Sequence, residues 1–263
     1  MTNIPLSGTF KVTNPYGVPG DYIAKYHTGI DLSNTNRTIY SSCDGKVVKR
    51  GYDNAYGNYI VIQNANDGRY HWFCHLAEIK QNLGAKVTRA TVIGKMGNTG
   101  NSRGIHLHFE IRNPSNKYGD VVNPAEYMGI PNQVGSYNSE NYPIYRAYIQ
   151  DIGWGGYVPP YQVTGTTGRA LRTEAIEIMS NEIDYRVHLQ HLGWQEWQKG
   201  GTVAGTTGKS LRLEAIELRS NKEMIAQAHV QGIGWQEEKR GKNILIGTTG
   251  KSLRLEAFRF KFI

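Results

Sequence analysis

From Tyr145 to its end the chain repeats itself three times, and no other feature limits its fold as much. YRAYIQDIGWGGY from Tyr145, YRVHLQHLGWQEW from Tyr185 and AQAHVQGIGWQEE from Ala226 are each followed by GTTG, a basic residue and an LR-x-EA segment. Trp154, Trp194 and Trp235 are spaced by 40 and 41 residues, and Gly165, Gly205 and Gly247 by 40 and 42. A unit of this length is one supersecondary motif that cannot bury its own apolar face. Three copies, placed at 144–180, 184–220 and 225–263, are therefore expected to close around a shared core with pseudo-threefold symmetry. YRVHLQ and LRLEAIEL alternate in steps of two around the turn chemistry of GTTGKS, which predicts β-rich units, although LRLEAIEL also fits a short helix.

The remaining half is a separate problem. Residues 1–130 are read as a first domain, 131–143 as a linker and 144–263 as the repeat domain, because NPAEYMGIPNQVGSYNSENYP is rich in Gly, Pro, Asn and Ser and has no sustained apolar period. With 39% hydrophobic residues, 31 glycines and 17 tyrosines, the whole chain reads as mainly β. Basic residues exceed acidic ones by 14 to 9 in residues 1–135 and by 16 to 13 in 136–263, giving a net charge of +8. That balance favours polyanionic partners such as nucleic acid, anionic lipid or the phosphate-bearing polymers of a Gram-positive wall, and no Lys/Arg cluster is dense enough for a nucleic-acid arm. No stretch approaches 18 apolar residues, and the N-terminus lacks a basic segment followed by an apolar one. The product is accordingly expected in the cytoplasm of its host, acting on the wall after release. Cys43 and Cys74 sit in apolar runs and are expected to be reduced, buried thiols.

Five of the eight histidines, at 27, 71, 75, 106 and 108, fall in the first half. In GIHLHFEIR a strand would put His106 and His108 on one face and Leu107 and Phe109 on the other. Upstream, YHTGIDLS supplies His27 and Asp31, with Gly29 arguing for a turn rather than a helix between them. HWFCHLAE supplies His75, with His71 on the same face if the strand alternates regularly. A neutral imidazole and one carboxylate, as in His27 and Asp31, are sensible zinc chemistry, leaving the ion cationic enough to polarise a carbonyl.

HTGID, WFCHL and IGKMGNTGNSRGIHLHFEIR, in that order, resemble the lysostaphin-like (LytM-type) zinc metallopeptidases over roughly residues 8–127. The resemblance implies an antiparallel β-sheet floor beneath a groove, one zinc ion held by His27, Asp31 and His108, and His75 and His106 facing substrate as proton-transfer and oxyanion groups. It does not say which of the two is the base, and His71 has no counterpart and is left as a groove-edge or structural residue. The C-terminal units resemble the clostridial hydrophobic tryptophan (ChW) repeats over roughly 144–260, which implies a wall-directed role. The first copy departs from the others, with Gly155 in place of glutamine and Thr173 in place of Leu213 and Leu255. Trp154, Trp194 and Trp235 are candidate wall-binding residues, as sugar-stacking shelves, or else the core aromatics of their units.

Together these readings imply a zinc-dependent peptidoglycan endopeptidase, a phage endolysin, that cuts a stem or cross-bridge peptide of a Gram-positive wall and is anchored by its repeats. A secreted autolysin or bacteriocin of the same chemistry is the alternative that an exported N-terminus would favour. A non-catalytic wall-binding module is expected to lack the metal ligands.

Overall fold

LHFEIR is buried at all six positions although every second residue is polar, a pattern that only a strand covered on both faces can carry. In the computed structural model, which describes residues 3–263, this strand, Leu107–Arg112, lies inside an antiparallel sheet. Ile30–Ser33 pairs on one side and Tyr70–Cys74 on the other. Thr9–Asn14 extends the sheet beyond the first, and Gly57–Asn64 and Gly45–Asp53 beyond the second. Leu107, Phe109 and Ile111 face an apolar layer in which Phe109 meets Phe73 at 5.0 Å between ring centroids. His108, Glu110 and Arg112 face the other way.

The chain divides into two units, the first ending at Ser139 and the second comprising Glu140–Ile263. The segment read as a linker holds regular structure: Gly135–Asn138 is a strand pairing with Thr9–Val12, and Ser139–Asn141 is a 3-10 turn. GSYN gives no apolar signal because it joins the edge of the sheet through its backbone. A short helix, Pro124–Met128, precedes it, capped by the Asn123 side chain at Ala125 N and ended by Gly129 at φ 69°.

In the second unit the first and last strands of each repeat pair with each other, Ile144–Ile149 with Thr173–Met179 and Asp184–Leu189 with the first part of Leu213–Val230. The last part of Leu213–Val230 pairs with Leu255–Phe262. LRLEAIEL is therefore strand, and two repeats share one continuous strand whose register shifts between Arg219 and Met224. The GTTG turn of each repeat is laid on the last strand of another. Gly205 pairs with Ala175, Gly247 with Ala215 and Gly165 with Ala257, so the third repeat returns to the first and the ring closes.

The shared core is built of Tyr145, Tyr185 and aliphatic and phenylalanine side chains, with no tryptophan in it. Tyr145 OH donates to Gln162 O at 2.6 Å and accepts from Phe260 N at 3.1 Å, so its buried hydroxyl is satisfied at both ends. Gln195 and Gln236 accept from the backbone N–H of Gly205 and Gly247, bracing the turns, a contact that Gly155 cannot make. Thr173 is fully buried and donates to Glu256 O.

Candidate active site

The site forms where three stretches of chain meet on the polar face of the central strand. Asp31 lies on Ile30–Ser33 directly across from His108, and His27 lies in the loop four residues before Asp31. His27 Nε2 is 3.1 Å from Asp31 Oδ1 and 3.0 Å from His108 Nδ1, which is 2.9 Å from Asp31 Oδ1. Gly29 is required between them: a Cβ there would fall 2.5 Å from Phe109 O and 2.8 Å from His108 Cε1.

A zinc ion with bonds of about 2.05 Å in tetrahedral array spaces its ligands about 3.3 Å apart, close to this triangle. Each imidazole presents the correct nitrogen. His27 gives Nδ1 to Pro15 O at 2.9 Å, and His108 turns Nε2 to Glu110 Oε1 at 3.1 Å, so His27 Nε2 and His108 Nδ1 point inward. Burial works against charge at Asp31, but the hydrogen bonds to His108 and His27 hold its carboxyl well below the usual range. Burial works against the cation at His108 as well, and the Asp31 and Glu110 carboxylates on either side of the ring push it up. Positive charge is thus stabilised at the centre of the cluster, the electrostatic condition for a divalent cation. His27, Asp31 and His108 fit a zinc site in donor type, spacing and charge.

Two further imidazoles border the triangle. His106, just before the strand, bridges to Gly97 and brings Nε2 within 3.6 Å of Asp31 Oδ1. His75 lies 4.8 Å from His106 and 5.9 Å from His108 between ring centroids. Both use Nδ1 on a backbone carbonyl, His75 on Thr99 O at 2.8 Å and His106 on Gly104 O at 2.8 Å. A carbonyl only accepts, so each neutral ring keeps its lone pair on Nε2. Burial pushes the His75 pKa down to about 4, which keeps that ring neutral at pH 7.

His75 and His71 do not share a face, contrary to the regular alternation expected from sequence. His75 takes φ 61°, which breaks the strand after Cys74 and turns the ring towards the site. His71 points into the apolar layer against Phe109 and Tyr127, with Nδ1 at Ser42 Oγ, and burial lowers its pKa to about 3. Sequence reasoning passed over Glu110. Continuing the period of two, His106, His108, Glu110 and Arg112 form one polar row in an apolar strand, and that row was its signal.

The candidate tryptophans lie in the second unit, outside its core. Trp154 stands under the Arg146 guanidinium at 4.3 Å, Trp194 under Arg186 at 4.9 Å and Trp235 under Arg259 at 5.1 Å. Tyr148, His188 and His229 meet the same three indoles in T-shaped contacts. Part of each ring is therefore already covered by protein. Cys43 and Cys74 are free and buried.

Residues 25–124 match the family described as Peptidase family M23, and 148–180, 188–222 and 229–262 match that described as Clostridial hydrophobic W. The chain is 36% identical over 119 residues to the DD-carboxypeptidase/endopeptidase Mpg of Neisseria meningitidis serogroup B, which covers 44% of this chain and 26% of that protein. It is 41% identical over 86 residues to the peptidoglycan DD-endopeptidase ShyA of Vibrio cholerae, covering 32% of this chain and 20% of that one. The chain thus spans about a quarter or less of the length of these curated relatives. Among solved structures, the catalytic domain of lysostaphin from Staphylococcus simulans is 29% identical, with 46% of this chain and 92% of that chain covered and a TM-score of 0.43. The first unit carries a Peptidase family M23 (LytM-type) domain, and the second is formed by three clostridial hydrophobic W repeats.

Proposed function

We propose that the chain is a zinc-dependent peptidoglycan endopeptidase that hydrolyses a stem or cross-bridge peptide bond and is held at the wall by its repeats. The observation that carries this reading is the triangle of His27 Nε2, Asp31 Oδ1 and His108 Nδ1, with sides of 2.9 to 3.1 Å, bordered by two imidazoles whose Nε2 lone pairs are free. When bound, zinc polarises a carbonyl and acidifies water to a pKa of about 7. His27, Asp31 and His108 would hold it. His75, neutral at pH 7 and aimed by Thr99 O, is suited to take a proton at Nε2, and His106, once its Nε2 carries a proton beside Asp31 Oδ1, is placed to donate to the developing oxyanion or the leaving amine.

Within this reading the target is a Gram-positive wall and the protein a phage endolysin. That narrower assignment draws on the pairing of a cutting domain with a repeat domain and on the net charge of +8, suited to phosphate-bearing wall polymers. The test is digestion of purified walls from several Gram-positive and Gram-negative species, with mass spectrometry of the released fragments. New amino termini within the peptide portion, lost on chelation and restored by zinc, are expected. Release of reducing sugar ends alone would overturn the endopeptidase reading, and digestion of Gram-negative sacculi only would overturn the target.

A further inference from the structure

We propose that Glu110 is the positioning residue of the metal site, holding His108 in the tautomer that ligates and anchoring the loop that carries His27 through Thr28. The inference rests on reading His27, Asp31 and His108 as a zinc site. Glu110 is fully buried in the middle of the central strand, where a carboxylate is costly unless every lone pair is used. Oε1 receives Thr28 Oγ1 at 2.6 Å, Tyr56 OH at 3.0 Å and His108 Nε2 at 3.1 Å. Oε2 receives the Arg112 guanidinium, with Nε at 2.8 Å and a terminal nitrogen at 2.6 Å. Arg112 is fixed in turn by Tyr56 OH at 2.9 Å and by the Trp72 ring at 3.9 Å.

Two carboxylates compete for His108. The form of His108 that can ligate is neutral and carries a single N–H, and if it sits on Nδ1 it serves Asp31 and removes the lone pair a metal needs. If it sits on Nε2 it serves Glu110, and Nδ1 faces His27 and Asp31 as a ligand. Glu110 favours the second arrangement. The same oxygen holds Thr28, whose neighbour His27 supplies the next ligand, so one buried carboxylate sets the aim of one imidazole and the position of the other. An amide cannot replace it, because its NH2 group would be set against the donors of Arg112 or of Thr28, Tyr56 and His108.

The experiment measures zinc affinity of the full chain with a competing chelator, and the ring 15N shifts of His108 in the zinc-loaded protein, for wild type, Glu110→Gln and Thr28→Val. Near-ultraviolet circular dichroism checks folding. The expected result is a 10- to 100-fold loss of zinc affinity in Glu110→Gln, with the His108 Nε2–H signal lost or exchanging rapidly, and a smaller loss in Thr28→Val. Affinity within about threefold of wild type in both variants, with unchanged His108 shifts, overturns the proposal. If Glu110→Gln does not fold, Thr28→Val decides alone: weakened zinc binding supports the proposal and unchanged binding overturns it. A wild-type chain that takes up no zinc fails the metal reading and this proposal together, whereas wild-type binding matched by both variants fails this proposal alone.

Discussion

At the scale of single residues, four imidazoles divide into two groups by how their nitrogens are engaged. His27 and His108 turn one nitrogen outward to a fixed acceptor and the other onto Asp31, whereas His75 and His106 are tied to carbonyls through Nδ1 and reach the triangle only at its border. His108→Ala and Asp31→Ala should therefore lose zinc and hydrolysis together. His75→Ala and His106→Ala should retain zinc while hydrolysis falls by about 10²- to 10⁴-fold, the range for loss of a positioned proton-transfer group. Metal analysis beside an assay on soluble wall peptides checks this, and equal zinc loss in His106→Ala and His108→Ala would refute the division. These residue types were legible because a chain seldom places imidazoles and carboxylates in apolar surroundings without use. The orientation of His75 was not, because a single left-handed residue after Cys74 reverses the side on which a period of two would put it.

At the scale of the strand, what was legible depended on whether side chains or backbone made the element. Leu107–Arg112 announces itself by alternation, whereas Gly135–Asn138 is recruited by backbone pairing with Thr9–Val12, with Tyr137 set against Phe10. Leu213–Val230 joins two repeats across SNKE, polar residues at the boundary between the repeats placed at 184–220 and 225–263. Tyr70–Cys74 carries a testable consequence of His71. Its folded pKa of about 3 lies below the ordinary value of about 6.5, so between these values the unfolded chain binds a proton that the folded chain refuses. The stability held at neutral pH is therefore lost as pH falls below about 6.5, by up to about 1.4 kcal/mol per pH unit from this residue. His71→Gln should show a shallower decline in urea midpoint between pH 7 and pH 4 than wild type. Parallel declines would show that His71 does not contribute.

At the scale of the molecule, each unit has its own apolar core, and His27, Asp31 and His108 all lie in the first. A fragment ending at Ser139 keeps the strand Gly135–Asn138 and the whole metal triangle, and it should cleave soluble wall fragments within a few-fold of the full chain. It should lyse intact cells far more weakly, because tethering changes local concentration, to roughly millimolar, rather than the transition state. The fragment Glu140–Ile263 should sediment with walls and cut nothing. Turbidity and pull-down assays measure both, and equal lysis by the short fragment would reject the division of labour. The closed ring of repeats has a separate consequence for how such a domain can evolve. An open solenoid gains or loses a copy at either end and remains folded, but here Gly165 is laid on Ala257. Deleting one copy would leave strand edges with no partner, and adding one would have to widen the whole circle. Copy number is therefore fixed by geometry, and variation in the surface the domain presents must come from substitutions within the three copies rather than from their multiplication.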